Sequence, residues 1–171
     1  MIDIRKYIRE IPDFPKEGVL FRDITPALIE PEVFGEICGT MHRRYRDRGI
    51  DKIAAIESRG FIFGSVLAHT LKTGLVPVRK EGKLPSETLK ESYALEYSEA
   101  TLEIHTDAIE NGEKVLIIDD LLATGGTAAA TCKLIEDLGG RIDELCFLIE
   151  LSSLRGRDLL EGKNIFSIIT Y

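Results

Sequence analysis

The segment Ile117-Ile118-Asp119-Asp120-Leu121-Leu122-Ala123-Thr124-Gly125-Gly126-Thr127 joins an apolar, β-branched run to an acid pair, a short turn with a double glycine, and the start of a helical pattern. Gly125 and Gly126 carry no Cβ, so the backbone there can turn sharply and bring its amides up to an anion. A helix beginning near Thr127 would aim its unpaired amides and positive dipole end at the same place. The hydroxyls of Thr124 and Thr127 add donors. With Ala123 completing the turn, the pattern predicts a cup for a terminal phosphate. No Gly-Lys-Ser/Thr follows and no Gly-x-Gly-x-x-Gly is formed, so this is neither a Walker loop nor a dinucleotide fingerprint. Asp119 and Asp120 cannot grip a phosphate themselves. They can accept hydrogen bonds from vicinal ribose hydroxyls or hold a divalent cation through water. The plainer reading is a turn with a helix cap and two solvated carboxylates; the joint occurrence of strand, acid pair, double glycine and helix weighs against it.

A second candidate is Glu57-Ser58-Arg59-Gly60, which follows an apolar run ending at Ile56. The guanidinium of Arg59 offers a rigid fork of donors matched to paired pyrophosphate oxygens. Arg79, Lys80 and Lys83 form a local basic cluster. That cluster matters because the net charge is −7. An acidic chain is a poor general nucleic-acid binder. If it binds a polyanion, it must gather positive charge locally or borrow a metal.

These groups need a scaffold that brings them together. Buried strands are predicted at Lys52–Ile56, Leu75–Val78, Lys114–Ile118 and Leu145–Ile149, with Pro77 pointing to a sheet edge or a strand end. Helical periods lie between them. One carries Val33, Phe34, Ile37 and Met41, with Pro31 to start it and Gly49 to stop it. Another runs from Phe61 to Leu71, and a third from Thr127 to Leu138, ended by Gly139-Gly140. Strands alternating with helices predict an α/β domain with a mainly parallel sheet, right-handed crossovers, and ligands at the carboxyl ends of the strands. Residues 80–97 are polar and lack a sustained period, so they are expected to form a structureless functional lid. The 171 residues suffice for a single domain, residues 1–171, and 44% hydrophobic residues give it a core. No apolar run is long enough for a membrane span, and no signal-peptide core follows Met1. Cys38, Cys132 and Cys146 read as reduced core thiols of a cytoplasmic protein. His42, His69 and His105 lack metal-ligand spacing.

The run from Val115 to Thr127 closely resembles the signature of the type I phosphoribosyltransferases. Further segments appear in order: Phe14-Pro15, Gly18 to Pro26, Glu57 to Phe61, Arg79-Lys80, Gly82 to Pro85, and Ser92-Tyr93-Ala94-Leu95-Glu96-Tyr97. Together they resemble the adenine-using branch of that family over nearly the whole chain. The resemblance implies the family's Rossmann-like sheet flanked by helices, with residues 1–30 as an N-terminal cap or hood and 80–97 as a flexible catalytic loop. It implies ribose 5-phosphate at Ala123, Thr124, Gly125, Gly126 and Thr127, and pyrophosphate at Ser58, Arg59, Arg79, Lys80 and Lys83. Adenine is implied at Leu20, Phe21, Arg22 and Leu121, read largely through backbone groups. Glu96 is implied as general acid/base and Tyr97 as part of the lid. Arg59, Asp119 and Asp120 complete the implied catalytic set. Glu57 stands where the family more often has Asp. Mg²⁺ is expected on the substrate, with Asp119 and Asp120 reached through water. A homodimer is expected, with Arg79 crossing to the partner's site.

The reaction so implied joins adenine to phosphoribosyl pyrophosphate, giving AMP and diphosphate, in purine salvage. Relatives using xanthine, hypoxanthine or guanine would share the phosphate loop. A non-catalytic regulator sensing phosphoribosyl pyrophosphate is the reading from another class; the acidic balance, Arg59 and Glu96 favour an enzyme.

Overall fold

The computed structural model describes residues 2–94 and 99–171, with the side chain of Glu99 also left out. Glu96 and Tyr97 lie outside the described residues. The chain divides into two units, one up to Arg43 and one from Arg44 to Tyr171.

In the first unit a 3-10 turn at Ile4–Tyr7 leads into a two-stranded antiparallel ribbon, β1 (Arg9–Pro12) and β2 (Leu20–Asp23). The turn between them is held by Asp13 Oδ1, which accepts from Gly18 N–H at 2.8 Å. Phe14 and Phe21 meet edge to face with centroids 5.1 Å apart. The Arg22 guanidinium pairs with Glu10 on the opposite strand. Asp23 Oδ1 then accepts from Thr25 N–H at 2.9 Å and opens α1 (Thr25–Ile29). Helix α2 (Pro31–Tyr45) follows, with Val33, Ile37 and Met41 buried and Phe34 half-buried. It ends four residues before Gly49, and the predicted cap of residues 1–30 falls inside this longer unit.

The second unit is a seven-stranded sheet with helices. Its strands are β3 (Lys52–Ile56), β4 (Gly74–Lys80), β5 (Thr88–Ala94), β6 (Glu99–His105), β7 (Lys114–Leu122), β8 (Arg141–Glu150) and β9 (Ile165–Thr170). Their order is β5-β6-β4-β3-β7-β8-β9, and all contacts among β4, β3, β7, β8 and β9 are parallel. Helix α3 (Gly60–Leu71) crosses from β3 outward to β4, and α4 (Gly126–Asp137) from β7 outward to β8 in the opposite direction. Right-handed crossovers of opposite direction put the two helices on opposite faces. On one face Ala54, Ile56, Val115, Ile117, Leu145 and Phe147 pack with Ala128, Cys132 and Ile135 of α4. On the other, a Cβ at Gly64 of α3 would lie 2.6 Å from that of Ala55, so helix and sheet meet nearly backbone to backbone there.

One expectation is corrected and another narrowed. The described part of residues 80–97 is not structureless: β5 pairs with β6 from Thr88↔His105 to Ala94↔Glu99. The inward positions are Leu89, Glu91 and Tyr93, and the charge on Glu91 breaks the apolar alternation a strand would otherwise show. The turn before it is also tied down. The buried carboxylate of Glu103 accepts from Lys83 N–H and Leu84 N–H, each at 2.8 Å. Burial raises the Glu103 pKa, but those amides outweigh it and leave the group below the usual 4.5. Pro77 is not at a strand end, but it lies where β4 is an edge on its β6 side. The carbonyl of Val78 accepts from Glu57 N–H, so Val78 faces β3 and Pro77 turns its nitrogen the other way. On that side β6 pairs only with Arg79 and Lys80, so no ladder bond is lost at Pro77.

The three cysteines are free; Cys132 and Cys146 are buried, and burial pushes their thiols up to about 12. No helix among the described residues is long and apolar enough to cross a membrane.

At the amino end of β8 a buried carboxylate gathers basic groups. Glu144 accepts from Arg44 at 2.5 and 2.7 Å and from the Tyr45 hydroxyl at 2.7 Å, with Arg48 3.2 Å away. The Arg44 guanidinium also stacks 4.0 Å from the Phe166 ring centre. Burial raises the Glu144 pKa, while Arg44 and Tyr45 outweigh that effect and hold it below 4.5. Removing one partner of a buried pair costs about 3–5 kcal/mol. Here Arg44 and Arg48 are 36% and 30% exposed, so water takes up part of the freed charge. We therefore predict that Glu144→Gln costs about 2–3 kcal/mol in urea unfolding at neutral pH; a loss under about 0.5 kcal/mol would show the network to be inert. A depressed folded pKa stabilises above the unfolded pKa and is lost as pH falls toward the folded one. The variant should therefore lose less stability than wild type as pH drops below 4.5.

Candidate active site

Strands β3 and β7 are parallel neighbours, with Ala55 opposite Ile118. One step past that register, β3 ends and the Glu57-Ser58-Arg59 turn begins, beside Asp119 and Asp120. The chain leaves these two strands in opposite directions, which makes their carboxyl ends a topological switch point, where ligands bind in open α/β sheets. The close fit is set by Gly60. A Cβ there would stand 2.7 Å from the Ile118 carbonyl and 3.1 Å from Asp119 Oδ1. The peptide bond between Glu57 and Ser58 is cis.

This approach joins the two predicted halves. Arg59 Nε donates to Asp120 Oδ2 at 2.5 Å. Asp120 is buried, whereas the Arg59 side chain is 45% exposed and lines the cavity. Asp119 Oδ1 accepts from Asp120 N–H at 2.8 Å. Burial and then the adjacent Asp120 carboxylate push the Asp119 carboxyl well above the usual range, while the Asp120 amide and Arg59 pull against them. A cavity of about 370 Å³ opens here, lined by Glu57, Ser58, Arg59, Lys80, Tyr93, Leu102, Asp119, Asp120 and Thr127.

The second cavity is the predicted cup. It measures about 70 Å³ and is lined by Asp119, Leu121–Ala128 and Phe147. A water's share of liquid is about 30 Å³, so the cup suits one small tetrahedral group. Gly125 has φ +88, the left-handed region, and immediately precedes α4. The turn is buttressed from behind. A Cβ on Gly125 would lie 2.3 Å from the Gly156 carbonyl, and one on Gly156 would lie 2.3 Å from that of Ala123. The Gly156 segment is pinned in turn by Arg157, whose guanidinium donates to Glu150 at 2.6 and 2.8 Å. Asp119 and Thr127 line both cavities, so the cup and the larger cleft adjoin.

A sequence model of the phosphoribosyl transferase domain matches residues 29–170. The chain belongs to the phosphoribosyltransferase family. Its adenine phosphoribosyltransferase relative from Thermosipho melanesiensis is 52% identical over 170 residues, covering 99% of this chain and 97% of the relative. A crystal structure of adenine phosphoribosyltransferase from Thermoanaerobacter pseudethanolicus superposes with TM-score 0.96 at 51% identity, covering 99% of this chain and 98% of that one. The Saccharomyces cerevisiae enzyme, solved with an imino-altritol bisphosphate and adenine, gives TM-score 0.92 at 39% identity, covering 97% and 96%.

In this phosphoribosyltransferase the predicted residues are gathered unevenly. Ser58, Arg59, Lys80, Asp119, Asp120 and Thr127 share the larger cavity, and Leu121, Ala123, Thr124, Gly125 and Gly126 line the cup. Arg79 and Lys83 line neither. Arg79 Nε and Nη2 donate to Glu57 at 3.2 and 3.4 Å, and its Nη1 donates to the Lys83 carbonyl at 2.9 Å. Burial raises the Glu57 pKa, but Lys80 N–H and Arg79 outweigh it and leave a firm carboxylate. Leu20, Phe21 and Arg22 form β2 of the first unit. Three positions were not singled out from the sequence: Tyr93, Glu103 and Gly156. Only Tyr93 carried a signal, the period-two spacing with Leu89.

Gly156→Ala should push the Ala123 carbonyl and hence the cup. We predict at least a tenfold loss of ribose 5-phosphate affinity with the fold retained; unchanged affinity in a calorimetric titration would show that the buttress does not set the cup.

Proposed function

We propose that this chain is a purine-salvage enzyme that joins adenine to phosphoribosyl pyrophosphate, giving AMP and diphosphate. The observation that carries this reading is one cleft in which a phosphate-sized cup, a carboxylate pair and an arginine turn adjoin. Family membership and relatives named adenine phosphoribosyltransferase support the choice of base.

In this reading the 5-phosphate occupies the cup formed by Ala123, Thr124, Gly125, Gly126 and Thr127. Asp119 and Asp120 accept from the ribose hydroxyls. Ser58, Arg59 and Lys80 meet the pyrophosphate. Adenine is assigned to Leu20, Phe21, Arg22 and Leu121, and Glu96 and Tyr97 to proton transfer and closure, on the family resemblance. A purine nitrogen forms its bond to ribose C1 as the C1–O bond to pyrophosphate breaks. The chain contributes by positioning both partners and neutralising the leaving group.

No cluster of three or more His, Cys, Asp or Glu among the described residues could hold a metal alone. The two hard-oxygen groups of Asp119 and Asp120 nevertheless suit Mg²⁺ held mainly by substrate oxygens. That ion would supply charge neutralisation on the leaving pyrophosphate. We propose a cytoplasmic homodimer. For Arg79 to serve a second subunit, its fork must leave Glu57 and the Lys83 carbonyl.

A panel of radiolabelled adenine, hypoxanthine, guanine and xanthine with phosphoribosyl pyrophosphate and Mg²⁺ tests the assignment. AMP should form fastest, and Asp119→Asn with Asp120→Asn should reduce turnover at least about a hundredfold without unfolding. Faster turnover of a 6-oxopurine would overturn the base, and wild-type-like rates in the double variant would remove the diol role.

A further inference from the structure

Tyr93 is a feature of the site that the roles above leave unused. It sits next to the end of β5, at the register position opposite Ala100. Its ring lies against the double glycine: a Cβ on Gly126 would come within 3.0 Å of Tyr93 Cδ2. Its hydroxyl is 3.0 Å from Thr127 Oγ1. Thr127 lines the cup and the larger cavity, and Tyr93 lines the latter.

The chemistry of two hydroxyls in contact is asymmetric. Each has one proton to give and two lone pairs to accept with. When the cup is empty, Thr127 can spend its proton on Tyr93 and the bond holds the β5–β6 hairpin against α4. When an anion enters the cup, the anion accepts and cannot donate, so the Thr127 proton is worth more there. The bond to Tyr93 survives if the phenol becomes the donor: Tyr93 O–H to Thr127 Oγ1, and Thr127 O–H to the phosphate oxygen. Hydrogen bonds chained in this way polarise one another. The Gly126 gap is what allows the ring to stand close enough for it.

We propose that Tyr93 is a positioning residue for the phosphate cup, acting through Thr127: its hydroxyl fixes Thr127 Oγ1 and turns the threonine proton toward the sugar phosphate. The hairpin that carries Tyr93 is thereby seated more firmly when phosphate is bound. This inference rests on the reading of the cup as a sugar-phosphate site.

The test is a calorimetric titration of ribose 5-phosphate into wild type, Tyr93→Phe, Thr127→Val and the double variant, paired with steady-state kinetics. Phenylalanine keeps the ring on Gly126 and removes only the O–H. Tyr93→Phe should weaken ribose 5-phosphate binding about three- to tenfold. It should raise KM for phosphoribosyl pyrophosphate to match, leave KM for adenine unchanged and leave the protein folded with at most a small fall in thermal midpoint. In the Thr127→Val background the same change should have no further effect. Equal binding by wild type and Tyr93→Phe, or fully additive losses in the double variant, would overturn the relay alone. If wild type does not bind ribose 5-phosphate at all, the reading of the cup fails and the relay with it.

Discussion

Everything at the site depends on how closely the start of α3 approaches the end of β7. Gly60 lies where a single methyl group would collide with the Ile118 carbonyl, so the arginine turn and the carboxylate pair meet through backbone rather than through long side chains. Parallel pairing of β3 with β7 brings the two segments to the same level, and the opposite crossovers of α3 and α4 leave the space above them open. A side chain that has to reach several ångströms loses rotamer freedom to do so. Here much of that ordering is already done by the sheet.

Electrostatics then follow from a shortage of positive charge. The chain carries −7 overall, yet its cleft must receive a polyanion. Arg59, which lines the cavity, is already paired with the buried Asp120, and Arg79 is paired with Glu57, which also lines it. These carboxylates hold the forks in place, and Arg59 stays 45% exposed at the cavity wall. The cup works differently. Among the described residues no basic side chain lines it; Thr124, Thr127 and the first turn of α4 do, with Asp119 at one side, and the Gly125–Gly156 contact shapes the turn.

Much of this was legible in the sequence. The α/β class, the central strands β3, β7 and β8, the helices α3 and α4, and the glycine turn between β7 and α4 could all be read, because buried parallel strands are continuous apolar runs and the double glycine marks a turn. The hairpin was missed because Glu91 occupies an inward position and because the residue fixing its turn, Glu103, acts through the amides of Lys83 and Leu84. Pro77 signalled an edge that is only local: β4 is interior along one half and an edge along the half that holds Pro77, a distinction absent from local sequence. Gly156 lies 31 positions beyond Gly125, and nothing in its neighbours announces that it touches the cup.

The central claim is that a backbone contact between β3 and β7 builds one site for both ends of the sugar phosphate. Gly60→Ala tests it directly. The added methyl group must displace the arginine turn from Asp119, and misplacement by an ångström can cost about a hundredfold. In titrations of the folded variant, affinity for ribose 5-phosphate and for pyrophosphate should both fall at least about tenfold, with circular dichroism unchanged. Wild-type affinity for both ligands in a folded Gly60→Ala protein would contradict the account.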